Sequence, residues 1–420
     1  MGTEHMSDGS AGGTARLPTP AVPVAGATDA DALVVGAGPA GATCALVLAR
    51  AGHRVLVLDQ AHFPRDKACG EGLLPGGVGV LRRLGLIEAV LATGACRLEG
   101  VTYTVAGCDA RVSAPFPQVP ADGGDASGLG VRRLTFDHAL ARRLAAEPGI
   151  VLLEGVRATG LDRDRHGTVS GVRTDGGCLH ARVTVAADGL HSRLRRAAGW
   201  GGDPRGPRRY GVAGHWRLNT DGVTGITVTL ADDGEWYQAP VGPSEMLVSR
   251  LGTRRAIGSV ARDYAGAVRE ALPEYRGAGL CGPPRSAGLF QQRPTSIAGE
   301  RLFLAGDAAG YDDPATGEGI GMAMMLGELL GGLLCPLLDG SASLSGTEAR
   351  YRARYDALWR DRRRVTRLAR MLATHPSAAR RAVRALARRP ATLTTLLGIN
   401  CGYWGFDRLS ARDWLALAGI

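Results

Sequence analysis

The chain has 420 residues, 45% of them hydrophobic, and a formal net charge of +10, a composition that suits a soluble globular protein of two or three units. The charge is carried almost wholly by arginine, Lys67 being the only lysine, and no recognition module accompanies it, so nucleic acid is not an expected partner. The eight scattered cysteines form no Cys-x-x-Cys pair, which argues against a metal site and a disulfide framework and for reduced thiols in a cytoplasmic protein.

In chain order, residues 1–28 are rich in Gly, Ala, Pro and Ser and read as a disordered tail rather than a signal peptide. Asp31–Val35 is a short apolar strand, Ala42–Ala51 a helix, and Arg54–Leu58 a second strand ending at Asp59, a βαβ opening that predicts a parallel sheet. Gly76–Leu91 has helical spacing, and Gly100–Val112 alternates like a strand. A Gly/Asp/Ser loop over Ala121–Gly130 precedes a helix at Thr135–Ala146. Strands are expected at Val151–Glu154, Val169–Thr174 and Arg182–Ala187. Asp203–Arg209 is a Pro/Gly/Arg break, after which Tyr210–Val260 reads as the strands of an antiparallel sheet. Arg301–Ala305 returns as a strand of the first unit. The most apolar run, Met322–Leu338, is interrupted by Glu328 and Pro336 and reads as a buried core helix rather than a bilayer span. From about Gly346 the chain is helical and basic, and the arginines between Arg350 and Arg389 read first as a solvated face. A surface for anionic lipid or an acidic carrier protein is the sharper alternative, with peripheral membrane contact through these helices.

Three segments carry chemistry. In Gly36-Ala37-Gly38-Pro39-Ala40-Gly41, Gly36 permits a tight turn, Gly38 lets amides approach a pyrophosphate, and Gly41 lets the helix pack on the strand. Asp59 stands where a carboxylate binds ribose hydroxyls. The second segment runs Gly306-Asp307-Ala308-Ala309-Gly310-Tyr311-Asp312-Asp313-Pro314-Ala315-Thr316-Gly317-Glu318-Gly319-Ile320-Gly321. Asp307 is placed for ribitol hydroxyls, and Gly317, Gly319 and Ile320 open a helix whose positive end faces a reduced flavin. Between them lies Asp188-Gly189-Leu190-His191-Ser192-Arg193, which alone is an ordinary capped turn. Alone, the first segment suits any dinucleotide; the first and second together point to FAD.

With these residues the chain resembles flavoproteins of the para-hydroxybenzoate hydroxylase fold superfamily, over roughly Ala30 to Leu338. That group includes single-component aromatic hydroxylases, flavin-dependent halogenases and geranylgeranyl or menaquinone reductases. The resemblance implies an α/β, Rossmann-like FAD-binding domain with a second antiparallel β-sheet substrate domain and a helical C-terminal extension. The expected FAD unit is discontinuous (29–99, 128–205 and 296–345), the substrate domain spans 100–127 and 206–295, and the helical region 346–420. Arg133-Leu134-Thr135-Phe136-Asp137 matches the group's Arg-x-x-Phe-Asp pattern, which gives Arg133 a role in contacting FAD.

Lys67-Ala68-Cys69-Gly70-Glu71-Gly72-Leu73-Leu74-Pro75 resembles both the Lys-x-Cys-Gly segment of the reductases and the Gly-Glu-Ser-Leu-x-Pro segment of the halogenases, with Gly72 in place of Ser. It is expected against the flavin ring, with Cys69 a candidate to touch it, although a lone Cys is more often a packed residue. The halogenase branch needs a lysine after this segment, and none follows Lys67; its Trp-x-Trp-x-Ile-Pro signature is also missing. The leading expectation is a monooxygenase, hydroxylating or epoxidising an apolar or aromatic small molecule with O2 through a flavin C4a-hydroperoxide, in natural-product tailoring. An isoprenoid double-bond reductase comes second, and a halogenase or a non-redox FAD-scaffolded cyclase third. Pro314 is expected to shelter the reacting flavin, and Tyr210, His215, Trp216, Trp236 and Tyr237 are candidate pocket residues. No second glycine fingerprint opens another βαβ unit, so either NAD(P)H binds transiently near the flavin or a partner flavin reductase supplies electrons.

Overall fold

Short runs of Val, Leu and Ala between glycine turns assemble the first sheet, and the computed structural model describes residues 30–118, 126–202 and 208–419. The expected tail over residues 1–28 lies outside the described residues, as do 121–125 of the predicted loop and 203–207 of the predicted break. Leu302–Leu304, Gly177–Ala186, Ala30–Val35, Val55–Asp59 and Ile150–Glu154 lie side by side in that order, all parallel. Ala30–Val35 and Val55–Asp59 at the centre are buried on both faces and have the continuous apolar runs such strands need, while Ile150–Glu154 at the edge leaves Val151 exposed. Gly177–Ala186 works twice: its second half joins the parallel sheet, and its first half pairs antiparallel with Val169–Thr174. That strand pairs in turn with Ala158–Arg163, which the sequence reading lacked because its single large apolar residue, Leu161, gives no alternation to follow.

Pro39–Arg50 and Gly319–Leu338 cover one region of this sheet and pack closely on each other. A Cβ at Gly327 would stand 2.3 Å from the Ala40 carbonyl oxygen, so glycine sets the approach. Gly319–Leu338 is long and apolar enough to cross a bilayer, yet Met322, Met324, Leu326, Leu330 and Leu334 sit in the core formed by the parallel sheet. The expected Gly76–Leu91 helix is two helices, Pro75–Arg83 and Ile87–Leu91, separated at Gly85, whose φ of +59° ends the first.

The second sheet has the order Gly279–Leu280, Arg209–Arg217, Glu245–Thr253, Gly234–Gly242, Gly225–Ala231, Gly100–Val105, Cys108–Pro115. Its one parallel junction joins Gly225–Ala231 to Gly100–Val105, which brings in the early strand pair from within the first unit's sequence. Arg254–Val260, expected as strand, is instead part of the Arg254–Arg262 helix: the Thr253 hydroxyl accepts from the Ala256 amide and caps it, and Ile257 is its one buried anchor. Four helices close the chain: Leu344–Thr374, Pro376–Arg388, Pro390–Cys401 and Ala411–Ala418. Proline at the first position starts the second and third. Their apolar sides share a core with Val101, Val105, Ile226, Val228 and Leu230 of the second sheet.

Candidate active site

The three glycine-bearing segments meet at one place. Gly36 has φ +105°, and a Cβ there would lie 2.3 Å from the Ala187 carbonyl oxygen, so the first turn sits directly on the Asp188 segment. A Cβ at Gly306 (φ +59°) would lie 2.8 Å from Ala40 Cβ, which brings the second segment against the first. At Gly41 a Cβ would fall 1.9 Å from the Gly36 carbonyl oxygen. Gly38 differs: the nearest atom to its Cβ would be an Arg65 guanidinium nitrogen at 3.6 Å. Its open side faces a cavity of about 840 Å³ that Gly36, Gly38, Pro39, Ala40, Asp59, Asp188, Gly306 and Asp307 also line. Pro39–Arg50 begins there without a side-chain cap, which leaves the positive end of the helix at the cavity lined by Gly38, Pro39 and Ala40.

Asp59 is buried and accepts from the Ala37 and Ala61 amides, both at 3.0 Å. Each carboxylate oxygen keeps a second lone pair for a hydroxyl. Asp188 Oδ2 accepts from the Arg193 and Leu194 amides at 2.8 and 3.2 Å, while its Oδ1 has no partner among the described residues. Asp307 lies 3.4 Å from Lys67 Nζ across the cavity mouth. Arg133 is buried and makes a two-point pair with Asp137, at 2.8 and 2.7 Å. Arg65 shares that carboxylate at 2.7 Å and reaches 3.5 Å from Asp59. The sequence reading placed Arg133 here and missed Arg65 and the bridging role of Asp137.

The segment after Lys67 is fixed by a buried carboxylate. Glu71, at φ +54°, accepts from the Arg133 amide at 2.8 Å and pairs at 2.7 Å with His215 Nε2 of the second sheet. Cys69 Sγ accepts from the Glu71 amide and lines the cavity, and burial pushes its thiol pKa up, partly offset by Arg133, so it holds its proton at neutral pH. On the second segment, Tyr237 Oη donates to the Ala315 carbonyl at 2.5 Å, next to Pro314. Beneath that turn, Arg209 is buried between Glu235 (2.5 Å) and Asp313 (3.1 Å). Gly317 (φ +69°) and Gly319 then lead into the Gly319–Leu338 helix, and Ile320 also lines the cavity. Glu318 is buried against Arg362 of the long C-terminal helix at 2.8 Å, and burial pushes its pKa up to about 7 despite the guanidinium.

The cavity does not end at these loops. It continues over the second sheet and is roofed by Val365, Leu368, Leu372, Leu386, Leu396 and Leu417 of the C-terminal helices. The ladder registers lay its floor out in rows. One is Val101, Ile226, Ala239, Leu247; the next is Tyr103, Val228, Tyr237, Ser249, Ala213. Because neighbours along a strand point to opposite faces, Trp236 cannot share the floor with Tyr237. Trp236 lies in the core on the far side with Val212, Trp216 and Val248, an Arg250 guanidinium over its ring. Trp236, Trp216 and Tyr210 are therefore removed as flavin-side candidates; Tyr237 and, through Glu71, His215 stay on the flavin side.

The comparisons agree with this architecture. Residues 29–361 match the family described as FAD binding domain. The chain belongs to that family. It is 32% identical over 330 residues to a menaquinone reductase of Mycolicibacterium smegmatis, covering 73% of this chain and 76% of the relative. It is 35% identical over 177 residues to a squalene monooxygenase of Rattus norvegicus, covering 40% of this chain and 30% of that protein. Among solved structures, CmlS, a flavin-dependent halogenase, superposes with a TM-score of 0.74 at 22% identity, over 83% of this chain and 65% of its own. At that identity the likeness is one of fold.

The protein is thus an FAD-dependent oxidoreductase of the para-hydroxybenzoate hydroxylase fold type. The residues present fit FAD: the uncapped helix start, the side-chain-free face at Gly38 and the Arg65 and Arg133 guanidiniums suit a pyrophosphate-linked dinucleotide, and Asp59 and Asp307 suit its hydroxyls. The C-terminal helices form the roof of the flavoenzyme's chamber.

Proposed function

We propose that this flavoenzyme is a monooxygenase acting on an elongated, largely apolar substrate that carries an aromatic ring or an alkene. Substrate, O2, NAD(P)H and a proton give the oxygenated product, NAD(P)+ and water. The observation that carries this reading is the chamber wall. Between the floor of the second sheet and the helical roof the described lining is Val, Ile, Leu and Ala with Tyr103, Tyr237, Ser249 and Asn400; Arg285, Ser286 and Phe290 line it from beside the Arg209–Arg217 strand, and the Arg285 guanidinium is engaged by Asp66 at 3.2 Å. FAD, when bound, supplies the two-electron activation of O2. The chain's own task is to keep water out and hold the substrate against the flavin. Oxygen transfer takes no proton from such a wall, whereas saturating an alkene needs an acid beside it. Burial raises the Tyr103 and Tyr237 hydroxyl pKa values, so both are weak acids. The arginine-rich outer faces of Leu344–Thr374 and Pro376–Arg388 suit delivery of the substrate from an anionic lipid surface.

A second reading, isoprenoid double-bond reduction, is favoured by the likeness to menaquinone reductase over three quarters of that protein and by Cys69, a protonated thiol on the flavin side. The two are separated by supplying NAD(P)H and candidate alkyl-aromatic and polyprenyl lipids under 18O2, and in parallel without oxygen. Product carrying one 18O supports the monooxygenase. Product formed anaerobically, with deuterium from deuterated NAD(P)H, sinks it and installs the reductase.

A further inference from the structure

One row of the chamber floor is polar, and its hydroxyls are not equivalent. Tyr103, Val228, Tyr237 and Ser249 stand side by side on adjacent strands, in register. Tyr237 Oη is spent on the Ala315 carbonyl, two strands away from Tyr103. Tyr103 Oη makes no hydrogen bond to any described residue. Nor is it sealed against apolar atoms, since the residue is half-buried and lines the chamber. Tyr103 is flanked along its own strand by Val101 and Val105, and across the sheet by Val228 and Val112, so no neighbour in the sheet accepts from it. Burial, with Glu235 adding to it, pushes its pKa up to about 12, so the hydroxyl is a donor throughout the neutral range. A phenol that lines an apolar chamber with its donor unused needs an acceptor from whatever fills that chamber.

We propose that Tyr103 is a substrate-binding group that donates a hydrogen bond to an oxygen atom on the head of the substrate. The substrate is then an amphiphile: a carbonyl, hydroxyl or ether oxygen held on the polar row, two strands from the turn at Pro314, and an apolar tail among Leu372, Leu386, Leu396 and Leu417. This deepens the monooxygenase reading by naming the substrate class, and it distinguishes the protein from an enzyme for pure hydrocarbons.

The test uses the FAD-loaded full chain and two probes of similar length, 2-undecanone and 1-dodecene, titrated while the flavin absorbance is followed. Both fit the apolar wall, and only the ketone offers an acceptor. We expect the ketone to bind about two- to tenfold more tightly, the range of one net hydrogen bond, and Tyr103→Phe to erase that preference while leaving the affinity for the alkene and the FAD content unchanged. A preference that persists in Tyr103→Phe overturns the assignment, as does equal affinity of the two probes for the native protein, or no flavin perturbation by either. Should Tyr103→Phe lose FAD, Tyr103→His, which keeps a ring N–H, is titrated in its place; a ketone preference that it fails to keep also counts against the proposal. No oxygen is consumed in the titration, so a failed 18O experiment leaves this result standing, and the reverse also holds.

Discussion

The two ends of the long cavity are built by opposite means. At the dinucleotide end, backbone sets the shape: Gly36, Gly41 and Gly306 bring three turns within contact of one another, and at these three positions there is no room for a Cβ. At the substrate end, side chains do the work: rows from adjacent strands and leucines from separate helices supply a wall, and no single turn is indispensable. Damage to the first end is therefore expected to be all-or-none, and damage to the second graded. The largest effect should come from Gly41→Val. Its Cβ would need the 1.9 Å position against the Gly36 carbonyl, so the helix must move off the strand. We expect a loss of about 3 kcal/mol or more and purification without FAD, read by the flavin-to-protein absorbance ratio and by urea unfolding. A stable Gly41→Val protein with full FAD would end the contrast between the two regions.

The junction of the regions should respond to pH. Glu318 belongs to the flavin segment and Arg362 to the roof, and their contact is buried. Burial lifts the Glu318 pKa from an ordinary 4.5 to about 7. The folded state therefore binds a proton more readily than the unfolded chain. Its contribution is fully favourable below about 4.5 and is lost as pH rises to about 7. Glu318→Gln, which cannot ionise, should match the native protein near pH 4.5 and gain on it by at most about 1.4 kcal/mol per pH unit up to pH 7. Parallel stability curves across that range would show that the latch carries no such proton.

The same contrast explains what could be read in advance. The dinucleotide end was legible because each turn is a contiguous string whose backbone demands name the residue: a positive φ at Gly36, no space at Gly41. The order of strand, glycine turn, helix and Asp59 then fixed the opening of a parallel sheet, and Ala30–Val35 does pair parallel with Val55–Asp59. The chamber was not legible, because alternation says that Trp236 and Tyr237 face opposite ways and not which of them faces the flavin. That choice is made by what packs on each face, the Arg254–Arg262 and Tyr264–Ala271 helices on one and the C-terminal helices on the other. Tyr103 lay in a stretch read only as strand, and its importance comes from pairing with Gly225–Ala231, more than a hundred residues on. The pairs Glu71–His215 and Glu318–Arg362 likewise join charges whose sequence neighbours say nothing about each other.

The smallest effect should fall where the two regions touch through one hydroxyl. Tyr237→Phe keeps the ring on the chamber floor and removes the bond to the Ala315 carbonyl together with a long 3.5 Å contact to Glu235. The carbonyl is left without that donor, and the cost should be about 1 kcal/mol of stability. FAD should remain bound, since the residues lining the dinucleotide end are untouched. The turn at Pro314 would lose its tie to the floor, while Arg209 and Asp313 still hold it from beneath. We therefore expect an unchanged FAD content, a flavin spectrum shifted by loosened packing, and a larger share of NAD(P)H oxidation ending in hydrogen peroxide. Measured peroxide yield is the deciding quantity, because a purely structural tyrosine would lower stability without altering the partition. If peroxide yield is unchanged while stability falls, Tyr237 belongs to the packing of the sheet, and the coupling between floor and flavin loop rests on the buried charges alone.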